Sequence, residues 1–152
     1  MGSIVKGDLI HLALAGHFDI IVHGCNCFCT MGAGIAQAIQ QEFPEALTAD
    51  MQTTAGDRGK LGNFSSATVT RCNHTITIVN GYTQFAFHSR QILADYKAIT
   101  RLFAKLKKTY PGKRFGYPKI GAGLAGGNWT KISEIIDREL HGENHTLVLF
   151  TH

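Results

Sequence analysis

The order of its patterns constrains this chain most: short apolar or β-branched runs alternate with segments of helical period from one end to the other. Residues 3–6 form a β-like run that ends at Gly7-Asp8 and leads into a short helix over residues 9–15. The run of residues 19–23, Asp-Ile-Ile-Val-His, predicts a second strand that breaks into glycine and cysteine. From Gly34, the residues Ile35, Ala38, Ile39 and Phe43 recur every three or four positions, which predicts a helix closed by Pro44, itself the start of a helix toward Met51. After a turn-rich connector over residues 54–62, residues 67–70 and 75–79 read as a hairpin around Arg71-Cys72-Asn73-His74. Leu93, Tyr96, Ile99, Leu102, Phe103 and Leu106 share one face of a helix predicted over residues 91–108. A strand over 114–120, a glycine loop over 121–128, a helix over 129–140 and a strand over 146–150 follow. Strands that alternate with helices predict a largely parallel sheet with helices on both faces.

At 152 residues, 44% of them hydrophobic, the chain is long enough for one sizeable core and too short for two ordinary domains, so one domain over residues 1–152 is expected. No window approaches the roughly 18 unbroken apolar residues that span a bilayer. The start lacks a basic segment followed by an apolar one, and Lys6 stands where a myristoylation signal requires Ser or Thr. These features predict a cytoplasmic protein, in the host cytoplasm if it is viral, with no membrane partner and with its four cysteines reduced. A formal charge of +4 admits an anionic partner. The basic run at Lys105, Lys107, Lys108, Lys113 and Arg114 has no interleaved aromatic residues, so a nucleic-acid partner is not expected.

Two glycine-rich loops each lie between a strand and a helix: Met31-Gly32-Ala33-Gly34-Ile35 and the stretch from Gly121 to Gly127. In open α/β sheets ligands bind beyond the carboxyl ends of the strands. Glycine lets backbone approach a phosphate, and the helix N-terminus that follows supplies oriented N–H donors. Two such loops can hold a diphosphate from both sides, although each can also be a tight turn and nothing more. Gly121, Gly123 and Gly126 spell GxGxxG, but the strand that follows ends Leu149-Phe150-Thr151-His152 with no carboxylate for a ribose, so a dinucleotide-binding Rossmann unit is excluded.

Cys25, Cys27 and Cys29 stand two residues apart, unlike the paired spacing of structural zinc sites, and no metal is expected. A reactive thiol would need a depressed pKa, for which His23 and a nearby helix N-terminus are the available sources at Cys25 or Cys27. The simpler reading makes the cysteines small apolar residues that pack a loop.

Taken in order, Lys6-Gly7-Asp8, His23-Gly24-Cys25-Asn26, Met31-Gly-Ala-Gly-Ile-Ala36, Pro118-Lys-Ile-Gly-Ala-Gly-Leu124 and Trp129 resemble the macro domain family of ADP-ribose binders. Within it, the His-x-Cys-Asn-Cys core is similar to the ADP-ribose 1″-phosphate phosphatase branch, which includes a yeast enzyme and bacteriophage proteins. The resemblance implies a three-layer α/β/α sandwich with a mixed, largely parallel sheet, and ADP-ribose lying across the strand ends. It implies that Asp8, beside Leu9, accepts the adenine amino group and that Phe150 flanks the adenine ring. It gives Asn26, beside Gly24, the distal ribose hydroxyls. Met31, Gly32, Ala33, Gly34 and Ile35 would admit that ribose. Ile120, Gly121, Ala122, Gly123, Leu124, Ala125 and Gly126 would wrap the diphosphate. Residue chemistry alone also allows Asp8 to be a helix N-cap, Asn26 an Asx-turn and Phe150 a core residue.

The resemblance implies hydrolysis of ADP-ribose 1″-phosphate to ADP-ribose and phosphate without metal or cofactor. His23, with a pKa near neutrality, is then the candidate proton donor or nucleophile with Asn26 beside it, and His88 and His145 are reserves. Relatives that remove ADP-ribose from proteins resemble this chain in the glycine loop but carry a lysine in the central region, at a position that falls near Gly81 and Tyr82 here, and an aspartate directly after the loop, where this chain has Ala125. Another such branch has an acid in the turn that reads Thr30-Met-Gly-Ala-Gly34 here. Removal of ADP-ribose from modified macromolecules is therefore the second expectation, beside a non-catalytic reader.

Overall fold

The computed structural model describes residues 2–86, 94–123 and 125–151. Six strands form one sheet: β1 (Ser3–Gly7), β2 (Ile20–Cys25), β3 (Phe64–Arg71), β4 (His74–Tyr82), β5 (Arg114–Tyr117) and β6 (Asn144–Phe150). Their order across the sheet is β1-β6-β5-β2-β4-β3. Neighbours are parallel except β3 and β4, which form the expected antiparallel hairpin. Cys72 and Asn73 turn that hairpin with positive φ angles of 52° and 64°, as a tight two-residue connection requires.

Among the described residues, five α-helices cover the sheet: α1 (Leu9–Leu14), α2 (Gly34–Glu42), α3 (Pro44–Met51), α4 (Tyr96–Thr109) and α5 (Trp129–Glu139). The pleat sends alternate side chains of one strand into two cores. Ile20 and Val22 of β2 pack with Ile99, Leu102 and Phe103 of α4 and Ile132 and Ile136 of α5. Ile21, between them, packs with Leu9 and Ala13 of α1, Ile39 of α2 and Ala46 of α3. Burial on both faces explains why β2 reads as a continuous apolar run. The result is the three-layer α/β/α arrangement.

Several boundaries differ from the sequence reading: β3 starts three residues earlier at Phe64, β4 runs three further to Tyr82, β6 starts two earlier at Asn144, and three more differences bear on the site. β2 does not break after His23; it continues through Gly24 and Cys25, which pair with Gly81 and Tyr82 of β4. Small residues are needed there, since a Cβ on Gly24 would stand 2.6 Å from the Thr83 hydroxyl. β5 stops at Tyr117, before Pro118, which has no N–H for the ladder. α4 begins at Tyr96, because Asp95 caps it by accepting Ala98 N–H at 3.0 Å while Ala94 bridges to Gln84. Its expected first turn, Gln91 to Leu93, lies outside the described residues. None of the described helices is long and apolar enough to cross a membrane.

Candidate functional site

Beyond the carboxyl ends of β2, β4 and β5 lies a cavity of about 540 Å³. Gly24, Cys25 and Asn26 reach it from the end of β2, Gln84 from two residues past β4, and Pro118, Lys119 and Ile120 directly after β5. Thr30, Gly32, Ala33, Gly34, Ile35 and Ala36 form one wall; Gly121, Gly123 and Ala125 belong to the other. The two glycine loops thus meet across one space. Ala122 and Gly126 do not line it, and Leu124 lies outside the described residues. Met31 and Leu9, also expected at the site, are buried in the core under α1–α3. The reading missed Cys25, Thr30, Ala36, Gln84, Pro118 and Lys119 as wall residues.

The helix N-termini behind the two loops differ. α2 starts from Ala33, whose side chain caps nothing, and its first-turn residues Gly34, Ile35 and Ala36 face the cavity. Its leading N–H groups are oriented donors with a favourable dipole. At α5, Asn128 caps with its own carbonyl, accepting Lys131 N–H at 3.3 Å. Only α2 therefore fits the expectation of a helix end open toward a ligand.

Asn26 is on the wall but largely committed. Its Oδ1 accepts Phe28 N–H at 2.8 Å, an Asx-turn, and its Nδ2 donates to the Thr30 hydroxyl at 2.8 Å and carbonyl at 3.1 Å. Asp8 is an N-cap, its Oδ1 accepting the N–H groups of Ile10 and His11 at 2.9 and 3.1 Å. Parallel pairing sets Gly7 beside Phe150, so Asp8 and Phe150, the latter 63% exposed, are neighbours along the same strand-end edge. Neither lines the cavity.

His23 is displaced from its expected role. It is fully buried, does not line the cavity and packs against Asn80, whose Oδ1 accepts from its Nε2 at 2.7 Å. Burial lowers its pKa to about 4, against which the Asn80 bond works only in part, so the ring is neutral near pH 7. Position along β2 explains the error: alternation aims residue 23 into the sheet's packing, and the chain enters the cavity wall one residue later. His145 sits near the start of β6, buried and bonded to the Tyr117 hydroxyl at 2.7 Å. His88 lies outside the described residues.

Behind the wall, the cysteine stretch covers a buried polar cluster that the sequence did not reveal. Lys60 is 7% exposed; its ammonium donates to the Cys27 carbonyl at 3.1 Å, lies 3.6 Å from Cys29 Sγ and stands 4.5 Å from the Tyr82 ring centre. Tyr82 donates to Asp50 Oδ1 at 2.7 Å, and Cys29 donates to the Asp50 carbonyl at 3.2 Å. All four thiols are free. Burial pushes the Cys25 thiol well above its ordinary pKa and raises that of Cys27, the reverse of what a nucleophile needs. Cys25 and Cys27 are small packing residues, as the simpler reading held.

The family model for the macro domain matches residues 22–136. The chain belongs to the macro domain family. This macro domain is similar to an uncharacterized 17.5 kDa protein of Enterobacteria phage T4, with 37% identity over 138 residues that cover 88% of this chain and 86% of the phage protein. It is also similar to an ADP-ribose 1″-phosphate phosphatase of Candida albicans, with 27% identity over 136 residues that cover 85% and 87% of the two chains. Among solved structures, Thermosipho africanus DarTG in complex with ADP-ribose shares the fold, with a TM-score of 0.73 and 16% identity over 98% of this chain and 42% of that one.

Proposed function

We propose that this macro domain binds ADP-ribose in the strand-end cavity and hydrolyses ADP-ribose 1″-phosphate to ADP-ribose and inorganic phosphate. The observation that carries the binding reading is the cavity itself. Two glycine loops converge on it, and the uncapped end of α2 gives it N–H donors. The same ligand in the Thermosipho structure and the activity of the Candida relative support it. Asn26 serves the distal ribose with the remaining lone pair of Oδ1, or with Nδ2 once Thr30 releases it.

His23 takes no part in the chemistry, because it is neutral, buried and outside the wall. Water adds to phosphorus and the bond to the anomeric oxygen breaks. That oxygen leaves as part of a hemiacetal, a better leaving group than an ordinary alcohol, so backbone donors and positioning carry more of the work than a proton donor does. The test is phosphate release from ADP-ribose 1″-phosphate, with and without a chelator, alongside calorimetric titration of ADP-ribose. Release that resists the chelator and a His23→Ala variant that keeps its turnover are expected. Binding without release would replace the phosphatase with a reader, and no binding would remove both. In ¹⁸O water the label is expected in phosphate; phosphate released without label would mean cleavage at the anomeric carbon, and the hemiacetal oxygen of ADP-ribose, which exchanges with water on its own, is not the readout.

One observation favours the reader as a second reading: no described wall residue is a carboxylate or an imidazole. The same observation, with Ala125 in the wall where relatives that remove ADP-ribose from proteins carry an aspartate, counts against that activity.

A further inference from the structure

Among the described wall residues, Lys119 alone carries a formal charge at neutral pH. Its side chain is exposed at the cavity rim, and among the described residues its ammonium has no hydrogen-bond or ion-pair partner. Lys105 and Lys107, also basic and near the surface, are engaged by Asn63 and by the His141 carbonyl. Lys119 is thus a cation at a pocket, held by backbone alone: its carbonyl accepts Ala122 N–H at 3.3 Å.

Its place along the edge is fixed by strand register. β5 lies between β6 and β2, with Tyr117 opposite Leu147 and Gly116 opposite Ile21. Continued two residues past β5, that register sets Lys119 level with Leu149 on one side and Gly24 on the other. Phe150 and Asp8 then follow along the edge in one direction, Asn26 and Gln84 in the other. Lys119 stands midway between the expected adenine end and the expected ribose end.

We propose that Lys119 reads the charge of the ligand's central diphosphate and makes the cavity selective for nucleoside diphosphates over uncharged nucleosides. The inference rests on the proposed ADP-ribose binding and names the residue that tunes it. The glycine loops and the α2 end offer dipoles, which orient phosphate oxygens but leave the two negative charges unneutralised. A flexible ammonium at the rim supplies that charge without demanding one geometry. Because it is exposed, its contribution is screened by salt, and this is the signature that a purely structural lysine lacks.

The experiment is titration of the whole chain and its Lys119→Met and Lys119→Arg variants with ADP-ribose, ADP, ADP-ribose 1″-phosphate and adenosine, at low and high sodium chloride. For Lys119→Met at low salt, the three diphosphates are expected to weaken by a common factor of about fivefold. The variant's affinity should barely respond to salt, adenosine should be unaffected, and Lys119→Arg should restore both affinity and salt response. Equal affinity and salt response in Lys119→Met would overturn the proposal. So would a loss confined to ADP-ribose 1″-phosphate, which would put the lysine at the terminal phosphate. Failure of the unsubstituted chain to bind any diphosphate would instead overturn the ADP-ribose reading, and this inference with it.

Discussion

The two glycine loops look alike in sequence and differ in what their glycines are for. In the loop before α2, a Cβ on Gly32 or Gly34 would meet nothing within 4 Å. In the loop before α5, a Cβ on Gly127 would stand 2.6 Å from the Gly121 carbonyl, and one on Gly121 would press on Ala94 and Ile132 at 3.2 Å. The second loop therefore needs glycine in order to fold against α5. In the first loop, packing makes no such demand at residue 32. Gly123 and Gly126 are exceptions, with open space where a Cβ would go; Gly126 turns with a φ of 71° and lies off the cavity wall, whereas Gly123 lines the cavity. Glycine enrichment alone does not distinguish a cradle from a hinge of packing; the space beside each glycine does.

Substitutions can break that distinction. The largest effect is expected from Gly123→Val, which fills the cavity without touching the fold: ADP-ribose affinity should fall by about 100-fold, or ~3 kcal/mol, while thermal unfolding stays where it was. Calorimetry showing unchanged affinity would move the diphosphate elsewhere. Gly127→Ala should do the opposite, costing about 1–3 kcal/mol of stability through overpacking, with the folded fraction binding normally. A urea midpoint equal to that of the unsubstituted chain would contradict the packing role. The smallest effects come from the caps. Asn128→Ala should cost ~1 kcal/mol of stability and leave affinity alone, whereas Ala33→Ser should gain about 0.5–1 kcal/mol. The new hydroxyl would take an α2 N–H and so weaken ADP-ribose about twofold. If Ala33→Ser stabilises the chain with no loss of affinity, the α2 N-terminus is not what the ligand uses.

Much of the fold was legible because burial on both faces writes long apolar runs and helical stripes into the chain, as in β2 and α4. The glycine loops were legible because strand-to-helix crossings put them at one edge of the sheet. The interior bonds were not. His23 looked exposed because its run seemed to end there; the parallel partner Asn80, 57 residues away, holds it inside. The Asp50, Lys60 and Tyr82 cluster joins three separate segments, and no spacing along the chain announces it. Lys119 and Gln84 did leave a signal: each follows the carboxyl end of a parallel strand within two residues, where a ligand edge must lie.

Pairing of β1 with β6 has a consequence for the order in which the molecule is assembled. Gly7 finds Phe150 only across nearly the whole chain, whereas β2, α2, α3, β3 and β4 are contained within residues 20–82. During synthesis the segment carrying Asn26 and the first glycine loop emerges with its own strand partners, while β1 waits at the margin for β6. One end of the cavity is thus complete long before the other. The edge that joins Asp8 to Phe150, beside the cavity, is the final piece of the sheet to form.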